Sequence, residues 1–587
     1  MTPAPAIVLG PTEPALWHKT LGELVDLQEA HYGSKEAVVV PWQSVRLSYR
    51  QLAERSRVLA QAMLNMGLGP GDCVGITAGN CYQYLEVFLG SGRIGCPVVV
   101  LNNTYTPGEL TSAVYQSSCK LVFISASIST RALSDHIQAL RGEESPNPKL
   151  PDLRRIVLIG DGIHSQTGID LEPYDAFTSN AHPNPPEQAA ISRTISPEDI
   201  LNLQFTSGNY TSSYPADVVQ LTDIKGTTGS PKAAMLTHTN LLNNARFVGQ
   251  GLALTPQDKV LNPPPLFHCF GLVLGFLSSF IHGSTIILPS PSFSATSCVN
   301  TLLTEHATVI LGVPTMYLAL LDILAQNGTQ PLSLRTALAA GSPVSPTLMA
   351  RLRTETGIPN VLIAYGMTET SPVTFMTRLS DDAEKGITTV GRVLPHTWAK
   401  VVDREGAVVA RGVRGELCTA GVAVQRGYWR NVQKTAEVMR RDEAGVLWMF
   451  TGDEVVMDAE GFVAVTGRIK DLIIRGGENI FPREIEERLT AHPAISEASV
   501  VGIQDERYGE VVGAFLKARE RISPSKLRHW VSQTLGRHKA PQHIFWIGDA
   551  GVGADFPKTG SGKYQKHLLR ELGNRLVRVR ERNRARL

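Results

Sequence analysis

The feature that most constrains the fold is a repeated order of strand, turn and helix along the N-terminal part of the chain. In VVLNNTYTPGELTSAVYQSS a β-branched run leads into a polar turn with Pro107, and an amphipathic stretch begins near Glu109. The segments KLVFISASISTRALSDHIQAL and ATVILGVPTMYLALLDILAQ repeat this plan. Such alternation predicts an α/β fold in which parallel-type sheets are covered by helices. Ligands of these sheets bind beyond the carboxyl ends of the strands, where the turns lie.

A chain of 587 residues is too long for a single core, so we predict several structural units. We place a large N-terminal domain at residues 1–467, a connecting segment at 468–471, a small α+β domain at 472–569 and a basic tail at 570–587. Within the first domain, GVRGELCTAGVAVQRGYW and LWMFTGDEVVMDAEGFVAVTGR alternate and turn like a small β-rich subdomain.

Composition narrows the class of protein. Hydrophobic residues make up 43% of the chain and charged residues 19%, and the formal net charge is +2, which gives no reason to expect a nucleic-acid partner. The most apolar stretch, FGLVLGFLSSFIHGSTIIL, is broken by Gly, Ser and His, so it predicts a buried helix and strand and no transmembrane segment. Seven scattered cysteines lack metal-ligand spacing and indicate buried thiols in a reducing compartment.

A glycine-rich segment from Gly226 to Lys232 has the chemistry of a phosphate-binding loop. Its glycines let the backbone N–H groups approach an anion, hydroxyls at Thr227, Thr228 and Ser230 add donors, and Lys232 adds positive charge. The spacing is not that of a P-loop. The segment therefore predicts a site for a polyphosphate of a different kind, or else an ordinary turn.

A second half of this loop stands upstream, where Leu-Gln-Phe-Thr-Ser-Gly ends at Gly208. Without residues 209–226 the chain reads LQFTSG-TTGSPKAAMLTHTNL, which resembles the signature loop of the acyl-CoA synthetase, nonribosomal adenylation domain and luciferase superfamily. The intervening segment departs from that pattern. Two explanations stay open. The segment is either a genuine loop, since doubling the length of a loop costs only about 0.6 kcal/mol, or an artefact of the gene model.

The resemblance continues through further motifs in family order. Tyr365-Gly366-Met367-Thr368-Glu369-Thr370 resembles the second nucleotide motif, in which the Thr contacts phosphate and the Glu binds Mg²⁺. Magnesium takes oxygen ligands and commonly pairs a carboxylate with substrate phosphates. The run around Gly341 and Ser342 is similar to the adenine-side loop. Asp453 would accept the ribose hydroxyls, Arg468 would contact the nucleotide, and Lys470 stands at the family's hinge.

The remaining motifs concern acyl transfer. Arg475-Gly476-Gly477-Glu478 resembles the loop that a mobile C-terminal domain brings in for the second half-reaction, and Lys563 matches the catalytic lysine of adenylation. The motif with His268 and Phe270 resembles the acyl side of the site. The resemblance thus predicts catalytic roles for Lys563, Thr368 and Glu369. The predicted nucleotide and CoA contacts are Thr206, Ser207, Gly208, Thr227, Thr228, Gly229, Ser230, Lys232, Gly341, Ser342, Tyr365, Gly366, Thr368, Asp453, Arg468, Gly476 and Gly477.

The activity that the resemblance implies is that of an acid–thiol ligase. Such an enzyme uses ATP, Mg²⁺ and coenzyme A to convert a carboxylic acid first to an acyl-AMP and then to an acyl-CoA. The similarity is greatest to medium-chain fatty acyl-CoA ligases. Two alternatives are an acyl-AMP ligase that loads a carrier protein and a non-catalytic relative inactivated by the split loop.

The extreme C-terminus resembles a targeting signal. From Arg570 the chain is rich in arginine and ends in Ala585-Arg586-Leu587, a small-basic-Leu variant of the Ser-Lys-Leu peroxisomal signal. The alternative is a solvated, partly disordered tail. The expected localisation is peroxisomal, through an import receptor, and otherwise cytoplasmic.

Overall fold

The computed structural model describes residues 4–142, 147–160, 171–206, 232–330 and 333–584. Up to residue 206 the helices and strands are, in chain order, β1 (Ile7–Leu9), α1 (Leu21–Tyr32), β2 (Glu36–Val40), β3 (Val45–Ser48), α2 (Tyr49–Asn65), β4 (Val74–Thr77), α3 (Tyr82–Arg93), β5 (Val98–Val100), α4 (Pro107–Ser117), β6 (Leu121–Ser125), β7 (Ser127–Ile128), β8 (Arg131–Ala132), α5 (Ser134–Arg141), β9 (Arg155–Ile159), β10 (Glu172–Pro173), α6 (Tyr174–Ser179), α7 (Pro185–Ser192) and β11 (Ile200–Thr206).

The middle of the chain continues with β12 (Lys232–Thr237), α8 (His238–Gly251), β13 (Lys259–Leu261), the π-helical segment Phe270–Leu277, α9 (Ser278–Ile281), β14 (Thr285–Ile287), α10 (Ala295–Glu305), β15 (Val309–Gly312), α11 (Pro314–Asn327), β16 (Thr336–Ala340), α12 (Pro346–Thr356), β17 (Asn360–Gly366), β18 (Val373–Met376), α13 (Ala383–Thr388) and β19 (Arg392–Val393).

The last part comprises β20 (Thr397–Val402), β21 (Arg414–Gly421), α14 (Val432–Val438), β22 (Met439–Arg441), β23 (Leu447–Met457), β24 (Val463–Arg468), β25 (Ile473–Arg475), β26 (Glu478–Ile480), α15 (Pro482–Thr490), β27 (Ile495–Asp505), β28 (Gly509–Ala518), α16 (Pro524–Leu535), β29 (His543–Trp546) and α17 (Lys566–Arg584).

Two large sheets form the N-terminal part, and both are mainly parallel as the sequence predicts. One has the strand order β10-β9-β6-β4-β5-β11-β12, in which only the pairing of β11 with β12 is antiparallel. The other has the order β19-β18-β17-β16-β15-β13-β14-β2-β3 and is parallel from β17 to β2. The central parallel strands, such as β4, β6, β15 and β16, are buried on both faces, which is why they read as continuous runs with few polar residues.

The three strand–turn–helix units of the sequence are present with one addition. β5 leads to α4, which begins at Pro107 because Thr106 and Glu109 form a capping box at its N-terminus. β15 leads directly to α11, which has Pro314 in its first turn. In the unit that follows Leu121, the short hairpin of β7 and β8 comes between β6 and α5. The stretch from Phe270 forms the expected buried helix and strand.

A third sheet is the predicted β-rich subdomain. Its order is β1-β20-β21-β23-β22, and β24 pairs with β23. The N-terminal strand β1 joins its edge beside β20, a contact between the two ends of the large domain that the sequence does not indicate.

The small C-terminal unit has its own sheet and core. Its strands are β25 to β29, and α15, α16 and α17 pack against them. The basic segment from Arg570, which the sequence suggests is a tail, differs from that expectation: it continues α17 as far as Arg584. The physical reason is packing, since Leu569 and Val577 are buried and Gly573 lies against Ile503 and Phe515.

Two expectations concern burial. All seven cysteines are buried and free, as predicted. Within the described ranges, no helix is both long enough and apolar enough to cross a bilayer.

Candidate active site

A cleft of about 1900 Å³ lies where the large sheets, the β-rich subdomain and the C-terminal unit meet. Pockets for one small ligand are commonly about 300–1,000 Å³, so this cleft has room for more than one. It brings together most of the predicted site residues, namely Thr206, Lys232, His268, Phe270, Gly341, Ser342, Tyr365, Gly366, Thr368, Glu369, Asp453, Arg468 and Lys563.

Some predicted residues are elsewhere. Gly476 and Gly477 form the exposed turn between β25 and β26 and do not line the cleft in this arrangement. Both have positive φ, 56° and 87°, which explains the glycines at this turn. The predicted phosphate-loop residues Ser207, Gly208, Thr227, Thr228, Gly229 and Ser230, the segment 209–226 and the terminal Ala585-Arg586-Leu587 lie outside the described residues.

Asp453 is held between two partners at one wall of the cleft. Tyr365 at the end of β17 donates its hydroxyl to Oδ2 at 2.6 Å, and Arg468 Nε lies 3.0 Å from Oδ1. Asp453 and Arg468 are direct cross-strand partners on β23 and β24, which is how a spacing of fifteen residues becomes a contact. Burial raises the pKa of Tyr365 well above its ordinary value, and the Asp453 carboxylate raises it further, so the phenol remains a donor.

Two glycines of the predicted motifs sit where a side chain is excluded. A Cβ on Gly366 would lie 1.8 Å from the Pro372 carbonyl oxygen. Gly341 follows β16 with φ of 84°, and its Cα faces Lys563, whose Cε would lie 3.5 Å from a Cβ at this position. Gly341 at the carboxyl end of β16 therefore presents backbone without a side chain to the cleft, and a flat ring can approach it there.

Lys563 reaches the cleft from the C-terminal unit. Its loop is closed by Thr559, whose N–H donates to the Lys563 carbonyl at 2.7 Å and whose Oγ1 accepts from the Lys563 N–H at 3.1 Å. The loop docks on the N-terminal part, where Thr315 Oγ1 lies 3.4 Å from the Gly562 carbonyl oxygen. Among the described residues the Lys563 ammonium has no hydrogen-bond or ion-pair partner. It is therefore available to a substrate anion.

The charge environment of Lys563 is mixed. Burial lowers its pKa and the Arg468 guanidinium lowers it further, while Cys269, Asp453 and Glu369 act in the opposite direction. These four residues lie close enough to Lys563 to interact with it electrostatically, although they come from four separate places in the chain. A cation near two carboxylates is the arrangement that a phosphate ester and a magnesium ion would complement.

His268 and Phe270 lie at the start of the buried π-helical segment. His268 Nδ1 accepts the Phe270 N–H at 3.1 Å, which fixes the ring. Burial lowers the pKa of His268 to about 3, with a smaller contribution from Lys563, so the imidazole is neutral at physiological pH. The neighbouring Cys269 Sγ lies 3.7 Å from Thr368 Oγ1 and thereby connects this segment to the predicted phosphate contact.

Glu369 is buried in the short 3₁₀ turn Thr368–Thr370, and Tyr428 donates its hydroxyl to Oε1 at 2.8 Å. Tyr428 has no role in the sequence-based prediction. Its motif, GYW, carries no chemical signal beyond a β-rich turn, because the partner that gives it meaning is fifty-nine residues away.

Within the part of the chain that the structure describes, Glu369 is the one carboxylate that the sequence predicts as a metal ligand. The described residues contain no cluster of three or more His, Cys, Asp or Glu side chains that could hold a metal ion by themselves. Glu369 fits a magnesium ion that takes its other ligands from phosphate and water, because among the described residues only Tyr428 donates to its carboxylate and the second oxygen is left.

Lys232 begins β12 at the phosphate side of the cleft, and its ammonium lies 5.1 Å from the centre of the Tyr428 ring. Burial lowers the pKa of Lys232, and Lys434 and Lys470 lower it further. Lys434, which is also paired with Glu437, and Lys470 thus add positive charge near Lys232, the last residue of the predicted phosphate loop. This concentration of positive charge suits a polyphosphate.

Comparison with protein families supports the resemblance that the sequence motifs indicate. A model of the AMP-binding enzyme family matches residues 25–209 and 226–429, and a model of the AMP-binding enzyme C-terminal domain matches residues 484–563. The first match is interrupted between residues 209 and 226, the place where the sequence departs from the family's loop.

Individual relatives cover nearly the whole chain. It is 44% identical over 581 residues to the acyl-CoA ligase SID4 of Ajellomyces capsulatus, covering 97% of this chain and 94% of the relative. It is 34% identical over 570 residues to the mitochondrial medium-chain acyl-CoA ligase ACSF2 of Bos taurus, covering 95% and 88%. Its fold matches that of the anthranilate CoA ligase AuaEII in complex with anthranoyl-AMP, with a TM-score of 0.79, 22% identity and coverage of 95% and 98%.

The family matches span both units, and the cleft gathers most of the residues that the family's motifs predict. The chain therefore belongs to the AMP-binding enzyme family and is an adenylate-forming ligase.

Proposed function

We propose that the protein is an ATP-dependent acyl-CoA ligase. In the first step a carboxylate oxygen of the acid attacks the α-phosphorus of ATP, the bond to the β-phosphate breaks, and pyrophosphate leaves an acyl-AMP. In the second step the thiolate of coenzyme A attacks the acyl carbon, and AMP leaves with one oxygen of the original carboxylate. The observation that carries the proposal is the arrival of Lys563 from the C-terminal unit in the same cleft as Glu369 and Asp453.

The nucleotide is assigned to the wall with Tyr365 and Asp453. A carboxylate offers two acceptors to the vicinal hydroxyls of ribose, and Arg468, its present partner, would turn toward the phosphates. The open backbone at Gly341 and Ser342 suits the adenine ring. Thr206, Lys232 and Thr368 face the phosphate side of the cleft.

Magnesium is assigned to Glu369. The ion would neutralise charge on the phosphates when bound, and Glu369 would orient it. Lys563 would hold the carboxylate and the α-phosphate oxygens together, where positioning and charge stabilisation carry most of the rate enhancement.

Transfer to coenzyme A requires a different arrangement of the C-terminal unit. Gly476 and Gly477 are outside the cleft while Lys563 is inside it, so a rotation about residues 468–471 would exchange them. That segment contains a short 3₁₀ turn at Ile469–Asp471, in which Ile469 and Lys470 are exposed and Asp471 is half-buried, and such a link can absorb a large change in backbone angles.

The acyl substrate is proposed to be a medium-chain fatty acid or a related aliphatic acid. The support is the buried, wholly apolar helix that follows His268 and the medium-chain ligase of Bos taurus among the relatives. Relatives of higher identity, such as the acyl-CoA ligases SID4 and sidI, carry names that state no acid.

Peroxisomal import is proposed from the sequence of the last three residues. Helix α17 reaches Arg584, immediately before Ala585-Arg586-Leu587. A fluorescent protein fused ahead of the intact C-terminus should enter peroxisomes, and removal of the tripeptide should leave it in the cytosol. Equal distributions of the two fusions would refute the proposal that the tripeptide is a peroxisomal targeting signal.

The test of the activity is ATP–pyrophosphate exchange over a panel of carboxylic acids, without coenzyme A. Exchange that depends on one class of acid, followed by thioester formation when coenzyme A is added, is the expected result. Exchange with transfer to a carrier protein but never to coenzyme A would favour the carrier-loading alternative. An absence of exchange with every acid, in a protein that binds ATP, would favour the non-catalytic one.

A further inference from the structure

Glu369 is held by hydrogen bonds to both its backbone and its carboxylate. It lies in a tight turn with an exposed fraction of 6%, at the point where the proposed function places a magnesium ion. A buried carboxylate that must meet a metal needs a fixed orientation, because a small rotation changes which oxygen faces the ion. The residues that contact Glu369 therefore determine which of its oxygens can face an ion.

The segment 425–429 runs beside Glu369 and beside β12. Gln425 donates its N–H to the Glu369 carbonyl at 2.9 Å, so the backbone of the turn is fixed from this side. Two residues on, Gly427 accepts the Met235 N–H at 2.9 Å, and Trp429 donates to the Ala233 carbonyl at 2.8 Å. The segment thus pairs as a short extra strand with β12, which follows the predicted phosphate loop.

Tyr428 lies in the middle of this segment, opposite Ala234. Its side chain is 5% exposed, and its hydroxyl donates to Glu369 Oε1 at 2.8 Å. The phenol O–H is the donor in this contact, because an ionised carboxylate can only accept.

The same ring also contacts the phosphate side of the cleft. Lys232 Nζ lies 5.1 Å from the ring centre, within the range of a cation–π contact. One side chain thus touches both the proposed metal ligand and the lysine that follows the phosphate loop, and its backbone is tied to the strands that carry them.

We propose that Tyr428 is a positioning residue for the metal–phosphate site: its hydroxyl occupies Oε1 of Glu369 so that the other carboxylate oxygen faces a divalent cation, while its ring holds Lys232 on the phosphate side. The proposal rests on the proposed function of Glu369. Loss of an outer-shell partner of a metal ligand commonly weakens metal binding by about 10–100-fold, and Tyr428→Phe is expected to fall in that range.

The chain provides a matched control. Tyr174 is also buried and donates its hydroxyl to a buried carboxylate, Glu86 Oε2, at 2.6 Å, but it lies on α6, outside the cleft. Tyr174→Phe removes the same bond, from a buried carboxylate that keeps Arg55 as a second partner. Its effect on the thermal unfolding temperature sets the stability cost of such a change, so that this cost can be separated from an effect on the metal.

The experiment measures Mn²⁺ binding by electron paramagnetic resonance, in the presence of a saturating non-hydrolysable ATP analogue. Tyr428→Phe should raise the Mn²⁺ dissociation constant about tenfold or more, and Tyr174→Phe should leave it unchanged. In exchange assays, a higher Mg²⁺ concentration should restore most of the rate of Tyr428→Phe, since the fault lies in metal binding. In a Glu369→Gln background, Tyr428→Phe should cause little further loss, because the two residues act as one unit.

Two outcomes separate the proposals. If Glu369→Gln weakens Mn²⁺ binding but Tyr428→Phe matches wild type, the positioning role is overturned and the proposed function stands. If Glu369→Gln leaves Mn²⁺ binding unchanged, the metal assignment in the proposed function fails. A loss in Tyr428→Phe that persists in full in the Glu369→Gln background would show that Tyr428 does not act through Glu369.

Discussion

Replacement of Lys563 by alanine is expected to separate the two half-reactions. The ammonium enters the cleft on a loop of the C-terminal unit, next to Gly341, and has no partner among the described residues. If it stabilises charge on the carboxylate and the α-phosphate, its loss should slow acid-dependent ATP–pyrophosphate exchange. Thioester formation from supplied acyl-AMP should persist, because that step uses the other arrangement of the domain.

The size of the effect follows from the position of the ammonium. Burial lowers the pKa of Lys563, because the ammonium has lost hydrating water in the folded protein. The group is therefore already desolvated when it meets an anion. Removal of one such preorganised donor typically costs about 10²–10³ in rate, or about 3–4 kcal/mol. The backbone of the loop is bonded through Thr559, so alanine should leave its path unchanged.

Lys558 is the matched control, because it stands on the same loop but points to carboxylates of its own unit. Its Nζ lies 3.2 Å from Asp555 and 3.6 Å from Glu497. Lys558→Ala should retain exchange within a few-fold of wild type. The assays are exchange of labelled pyrophosphate and formation of acyl-CoA from purified acyl-AMP. Equal losses of both activities in Lys563→Ala would refute the division of labour.

Three further predictions address other parts of the molecule. Gly477→Trp, at an open turn where a Cβ would meet nothing within 4 Å, should spare exchange and impair thioester formation; the reverse pattern would contradict the role of this turn. Burial lowers the pKa of His238 to about 4, so below pH 6.5 the unfolded chain takes up a proton that the folded chain does not, and stability falls as pH drops towards 4. At pH 5 His238 lowers the free energy of unfolding by about 2 kcal/mol relative to pH 7. Urea unfolding should show that His238→Asn loses correspondingly less stability between pH 7 and pH 5 than wild type; an identical loss of stability in the two proteins would refute this role of His238. Deletion of residues 209–226, which joins the two halves of the loop, should give exchange at least equal to that of the full chain, and loss of exchange on deletion would show that the segment is a functional loop.

Much of the fold could be predicted because local signals and global order agree. The alternation of strands and helices predicts the parallel sheets, and the polar turn before α4 predicts a helix start that the capping box of Thr106 and Glu109 provides. The C-terminal basic segment was harder to interpret. Its arginines suggest a solvated tail, but the apolar residues between them, such as Leu569 and Val577, pack on the sheet and extend α17.

The residues of the candidate site also divide into those that the sequence predicts and those that it does not. Tyr365, Glu369, Asp453 and Lys563 could be predicted as a group because each stands in a motif that resembles the family, and the structure brings them to one cleft. Tyr428 could not, since its hydrogen bond and its cation–π contact join segments far apart in the chain. Pairings of this kind depend on tertiary packing and have no local signature.

The central claim, that the acid is activated as an adenylate, is tested most directly by following its oxygen. A substrate acid labelled with ¹⁸O in the carboxylate should transfer one labelled oxygen to AMP during acyl-CoA formation, and mass spectrometry of the AMP measures it. The account predicts one ¹⁸O per AMP, with unlabelled pyrophosphate. Label found in inorganic phosphate together with ADP, or AMP free of label, would contradict it.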